Sequence, residues 1–166
     1  MIALANKHPR VNILRPGTGV GGHCIAVDPW FIVSEFPEES KIIRKSREVN
    51  NFKTEWVVEK IKNKALAFKI ENKREPVIAC MGLAFKPNID DLRESPALYV
   101  TDTLIKDGFD VLQVEPNLHN GTERELTDAP QAIKKADIVV FLVGHKGFKS
   151  LQIPHNKQKL DFVGML

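Results

Sequence analysis

An α/β fold is predicted for this chain, a parallel sheet with flanking helices preceded by one long helix, and three features predict it. From residue 77 onward, strand-length apolar runs alternate with amphipathic helical segments. Before them, a helical periodicity unbroken by proline or glycine runs from about 40 to 69. Ahead of that lies a loop with prolines at 9 and 16 and glycines at 17, 19, 21 and 22. The 166 residues suffice for one ordinary core with a helical appendage.

Taken in order, Met1 to Ala5 reads as the tail of a helix and residues 6–22 as loop. The long helix begins after Pro37-Glu38-Glu39-Ser40, and Ile42, Ile43, Val49, Trp56, Val57, Ile61 and Leu66 mark its apolar positions. Thirty residues of helix span roughly 45 Å, more than a small domain needs for itself, so helix 40–69 is expected to pack against a partner chain, as in a homodimer, or against a second domain. A charged linker at 69–75 divides the chain into expected units 1–72 and 73–166. Val77–Ala84 is a buried-strand pattern, Pro96–Lys106 a helix closed by Gly108, and Phe109–Val114 a second strand. Ala129–Lys135 is a short helix and Asp137–Val143 a third strand. In such Rossmann-like sheets ligands bind beyond the carboxyl ends of the strands. Lys86, and Gly144 with His145, fall at that edge, where His145 is expected to cap a strand end rather than ligate. No G-x-G-x-x-G follows a strand, so the sheet is not expected to hold a dinucleotide pyrophosphate in the usual way.

Composition removes several classes. A formal charge of +3, with the basic residues of 41–74 interleaved with Glu48, Glu55, Glu59 and Glu71, describes a solvated helix face and not a nucleic-acid surface. The longest apolar run, Ile138–Val143, is too short to cross a bilayer, and the first residues lack the pattern of a signal peptide. Two well-separated cysteines fit a reducing, cytoplasmic setting, with Cys80 read as inert core.

The chemistry concentrates in Gly19-Val20-Gly21-Gly22-His23-Cys24-Ile25-Ala26-Val27-Asp28-Pro29-Trp30. A thiol carried on an open glycine backbone can approach a substrate carbon closely, and a carboxylate four residues on can orient a water. A buried structural cysteine and a capping aspartate are the plainer alternatives. His23, Cys24 and Asp28 make a poor metal set, because adjacent side chains rarely converge on one ion.

That loop, taken with Gly82-Leu83-Ala84-Phe85-Lys86-Pro87-Asn88-Ile89-Asp90-Asp91-Leu92-Arg93-Glu94-Ser95-Pro96, resembles the UDP-glucose/GDP-mannose dehydrogenase family over essentially the whole chain. The His-Cys-Ile-Ala-Val-Asp-Pro-Trp-Phe form is most like members oxidising UDP-N-acetyl-D-mannosamine, and the same form occurs in members acting on UDP-N-acetylglucosamine. Members acting on UDP-glucose usually carry a Ser-Cys-Phe-Pro-Lys-Asp type of loop. The resemblance implies a C-terminal portion: members begin with an NAD-binding Rossmann domain and commonly end in Asp-x-x-Gly-x-x-Arg, where this chain reads Asp161-Phe162-Val163-Gly164-Met165-Leu166.

The resemblance implies a role for each of these residues. Cys24 is the thiolate that attacks a C6 aldehyde, after which a thioester is formed and hydrolysed, with NAD as oxidant. Asp28 belongs to the water-activating network. Lys86 contacts the sugar and stabilises developing negative charge. Gly21, Gly22 and Phe85 line the nucleotide-sugar site. Arg10 and Arg15 surround the substrate, Arg10 across a dimer interface; either could equally be a loop charge. Arg93 touches the nicotinamide cofactor. The expected partners are a UDP-sugar, a second copy of the chain and a separate N-terminal half that holds NAD, with activity absent from these residues alone. A non-catalytic module that binds UDP-sugar or dimerises is the competing reading.

Overall fold

The computed structural model describes residues 2–10, 16–118 and 124–166. Its elements run α1 (Ile2–Ala5), α2 (Asp28–Glu35), α3 (Lys41–Asn72), β1 (Val77–Met81), α4 (Pro96–Lys106), β2 (Asp110–Val114), α5 (Ala129–Lys135), β3 (Ile138–Phe141) and β4 (Gln158–Asp161), with one 3-10 turn at Lys146–Phe148. The four strands form one parallel sheet in the order β2-β1-β3-β4. The expected α/β architecture is therefore present. The strands are shorter than the apolar runs suggest, because Gly82 (φ 94) and the residues beyond Phe141 leave the sheet to build its ligand edge.

The central strands β1 and β3 are buried on both faces, which is why they read as continuous apolar runs. Successive side chains of β1 alternate between the two layers. Ile78 and Cys80 pack with Val57, Ile61 and Ala65 of α3 and Val100 and Leu104 of α4. Ala79 and Met81 pack with Ala132 and Ile133 of α5 and Phe148. Helix α3 thus has its carboxyl half docked on the sheet and its amino half beyond it.

Two elements differ from expectation. Helix α2 occupies Asp28–Glu35, with Pro29 in its first turn, where proline's missing N–H costs nothing. Strand β4 is a short edge strand of mostly polar residues, Gln158-Lys159-Leu160-Asp161. Helix α3 extends to Asn72 and stops where Lys73 turns left-handed (φ 55), its N–H donating to the Lys69 carbonyl at 2.8 Å. Beyond it, Arg74 grips Asp137 through two bonds of 2.7 and 2.6 Å, and Asp137 also accepts the Val77 N–H at 3.0 Å. This contact seats the first strand beside the third.

Candidate functional site

Strand order reverses at β1, whose successor β2 lies on one side and β3 on the other. Such a switch point leaves a crevice at the carboxyl ends of the strands. Here it is a cavity of about 660 Å³ lined by Phe85–Asn88 after β1, Leu142–Gly144 after β3 and Val163–Met165 after β4. The opposite wall is the glycine loop, residues 16–21 with Ile25. Lys86, Lys146 and Lys149 line it too, giving the cavity a positive rim suited to a diphosphate.

The glycine loop is held from both sides. On the helix side, Asn50 of α3 accepts the Val20 N–H at 2.8 Å and donates to the Val20 carbonyl at 3.3 Å, while Thr54 donates to the Thr18 carbonyl at 3.0 Å. On the sheet side, the Gly22 N–H donates to the Arg93 carbonyl at 3.2 Å. The contacts leave no room for side chains: a Cβ on Gly21 would lie 2.1 Å from the Glu94 carbonyl oxygen. Gly22 (φ 90) lies so close under the Phe85 ring that a Cβ would reach it at 2.9 Å.

Cys24 follows this clasp in a tight turn and is exposed. Its carbonyl accepts the Val27 and Asp28 N–H groups at 3.1 and 2.8 Å, opening α2. Asp28 is exposed at the first turn of α2, and no side chain caps that helix. The carboxylate that sequence alone could read as a cap is thus left over for other work. Cys80 is fully buried in β1, and burial pushes its thiol up to about 12.

Arg93 is exposed and forks onto Asp91 through bonds of 2.6 to 3.0 Å. That hydrogen bonding holds the Asp91 carboxyl at about 2 and raises the Arg93 guanidinium. Lys86 is exposed at the cavity, its Nζ 5.5 Å from the Phe85 ring centroid. The structure therefore gathers Gly21, Gly22, Cys24, Phe85, Lys86 and Arg93 around one loop-to-loop contact. Arg10 is exposed in the segment after α1, its N–H donating to His8 Nδ1 at 3.3 Å. Arg15 lies outside the described residues.

Beneath the crevice sits a network that sequence reading missed. Glu115, at the end of β2, accepts the N–H groups of Leu83 and Ala84 at 2.8 and 3.0 Å, that of Asn117 at 3.0 Å, and His145 Nε2 at 3.0 Å. Burial raises its pKa, but the His145 bond and the backbone donors outweigh it and hold the carboxyl at about 2. His145 Nδ1 accepts the Asn88 N–H at 2.9 Å, which leaves Nε2 to carry the proton toward Glu115. Asn88 sits at φ 62 and accepts the Lys146 N–H at 2.8 Å, tying the loops after β1 and β3. An acid at the end of the second strand is where a dinucleotide-binding sheet holds a ribose. Here that acid is 4% exposed and spent on backbone. This sheet does not fit NAD in the usual manner, as the missing glycine fingerprint suggests.

Comparison with known proteins agrees with this geometry. Residues 79–163 match the UDP binding domain of the UDP-glucose/GDP-mannose dehydrogenase family, and residues 1–52 match its central domain. A UDP-N-acetyl-D-mannosamine dehydrogenase of Campylobacter jejuni is 53% identical over 160 residues, 92% of this chain and 38% of the relative. An NDP-N-acetyl-D-galactosaminuronic acid dehydrogenase of Ralstonia nicotianae is 52% identical over 158 residues, 91% of this chain and 36% of the relative. The chain thus spans well under half the length of these relatives. Among solved structures, a UDP-D-ManNAc dehydrogenase from Pyrococcus horikoshii superimposes with a TM-score of 0.77 at 32% identity, covering 99% of this chain and 40% of that one. On these matches, the chain belongs to the UDP-glucose/GDP-mannose dehydrogenase family.

Proposed function

We propose that this chain carries the cysteine nucleophile and the nucleotide-sugar pocket of an NAD-dependent UDP-N-acetyl-D-mannosamine 6-dehydrogenase. One observation carries the reading. The glycine loop that leads into Cys24 walls the same crevice into which β1, β3 and β4 end. A nucleotide seated at the strand ends would place its sugar against that loop. The relatives named above share an N-acetylated hexosamine in their names, which favours such a sugar over glucose.

In this reading Lys86, with Lys146 and Lys149 at the rim, neutralises the diphosphate and the oxygen that gains negative charge at C6. The C6 alcohol loses a hydride and a proton to become an aldehyde. Cys24 Sγ adds to the aldehyde carbon, giving a thiohemiacetal whose loss of a second hydride and of its hydroxyl proton leaves a thioester. Water, oriented by Asp28, attacks the thioester carbon, and the C–S bond breaks to release the acid and restore the thiol. NAD supplies the hydride acceptor for both oxidations. The sheet lacks the glycine turn and the free acid that hold a dinucleotide in the usual manner, so NAD would be held by residues outside these 166, and exposed Arg93 would meet it from this side. The 166 residues alone bind UDP-sugar without reducing NAD.

A homodimer through α3 belongs to the same proposal. Ile42, Val49 and Phe52 are exposed at 85, 57 and 68% and fall within about 80° of one another around the helix. Arg10 of one copy would then reach the other copy's pocket.

Calorimetric titration with UDP-N-acetyl-D-mannosamine tests the reading, with Lys86→Ala as control. Binding should weaken about 10-fold or more in the variant, the worth of one charge-assisted contact. A natively folded chain that binds neither this ligand nor UDP overturns it.

A further inference from the structure

A second cavity, about 460 Å³, opens between α3 and α4, where Val20 and Ala26 of the glycine loop meet both helices. Its lining includes Arg47, Asn51, Glu55, Glu94, Tyr99 and Asp102. Arg47 is 9% exposed, its Nε is buried without a partner, and no hydrogen bond or ion pair reaches its side chain among the described residues. A guanidinium Nε buried without an acceptor carries an unrepaid desolvation cost. Native folds answer such a group with a water, an ion or a ligand.

The other polar groups of the cavity are already engaged. Glu55 accepts the Tyr99 hydroxyl at 2.6 Å, and Asp102 accepts Arg124 at 2.7 and 2.8 Å. Thr54 and Ser95 spend their hydroxyls on the Thr18 and Leu83 carbonyls. The groups left facing the space are the Arg47 guanidinium, one turn later on the same face of α3 the Asn51 amide, and the exposed Glu94 carboxylate, the nearest internal competitor for the guanidinium. A planar fork of donors beside an amide matches an oxyanion. We infer that this cavity is an oxyanion site, in which Arg47, with Asn51 beside it, receives a carboxylate or phosphoryl group from outside the chain. The site is separate from the lysine-rimmed crevice and stands whether or not the proposed dehydrogenase chemistry does.

Thermal unfolding of the 166-residue chain in sodium phosphate, sodium acetate and sodium chloride, at one pH and one ionic strength, tests this. The midpoint should rise above the chloride value in phosphate, in acetate or in both. A rise in phosphate alone assigns a phosphoryl ligand; a rise in acetate alone assigns a carboxylate. Arg47→Met should abolish the excess, and its midpoint in chloride should equal or exceed that of the native chain, because an unanswered charge has been removed. Arg47→Lys, which keeps charge but loses the fork, should weaken the apparent affinity about 10-fold and serves if the methionine variant fails to fold. Equal midpoints in all three salts, or an excess that survives in Arg47→Met, overturn the inference. So does strong coupling between Arg47→Met and Glu94→Gln in chloride, which would mean that Glu94 neutralises Arg47 within the chain.

Discussion

Asn50 holds Val20 by both backbone groups, its Oδ1 taking the N–H at 2.8 Å and its Nδ2 reaching the carbonyl at 3.3 Å. The pairing imitates a rung of β-ladder, made by one side chain of a 32-residue helix. It fixes the loop four residues before Cys24, so the position of the thiol depends on α3. Asn50→Ala leaves the Val20 N–H and carbonyl without their partner, which should lower stability by about 1–3 kcal/mol in chemical denaturation. Asn50→Asp keeps the acceptor and should lose less. If the alanine variant is as stable as the native chain, the clasp carries no weight.

The same loop is held by absence of side chains on its other side. Gly21→Ala would place a methyl 2.1 Å from the Glu94 carbonyl oxygen, an overlap that only backbone movement relieves. A loss of about 1–3 kcal/mol or more is expected. Gly147→Ala, with nothing within 4 Å, is the control and should change stability little. Equal midpoints for the two variants in a urea titration would refute the close approach.

The parallel sheet was legible because strands buried on both faces must be apolar throughout, and Val77–Met81 and Ile138–Phe141 are. Strand β4 was not legible. Leu160 is its only apolar residue, and an edge strand of four residues borrows its conformation from the neighbour it pairs with. Helix α2 had no element assigned to it, although Asp28-Pro29 reads as a helix start. Cys24, Lys86 and Arg93 could be picked out as motif residues. Asn50, Asn88 and Glu115 could not, because each acts through backbone atoms 30 or more residues away, which no local pattern encodes. Glu115 at the end of a predicted strand was the one available signal.

The two cysteines should separate cleanly in thiol chemistry. Cys24 is exposed, whereas Cys80 is fully buried, and burial lifts its thiol to about 12. Iodoacetamide at pH 8 should therefore modify one thiol per native chain and two per chain in denaturant, counted by mass spectrometry. Cys24→Ser should abolish the native labelling. Modification of Cys80 at a comparable rate in the native protein would contradict the packing of β1.

Glu115 ties the crevice floor to pH. Its carboxyl sits at about 2 in the folded chain, below a free glutamate near 4.3, so the unfolded chain binds more protons between those values. The stabilisation, about 3 kcal/mol by that difference, is complete above roughly pH 5 and lost as pH falls from there toward 2. Glu115→Gln cannot reproduce it. An amide nitrogen in place of Oε1 would face the Asn117 N–H, donor against donor, while one in place of Oε2 would face three donors. The variant should be less stable than the native chain at pH 7, and the gap should narrow steadily as pH approaches 3. Half-buried Asp91, also held at about 2, titrates equally in both proteins and cancels in the comparison. A gap that stays constant from pH 7 to 3 would mean that the Glu115 carboxylate contributes through its shape alone, and that its charge is not what holds the Leu83–Ala84 turn over the strand ends.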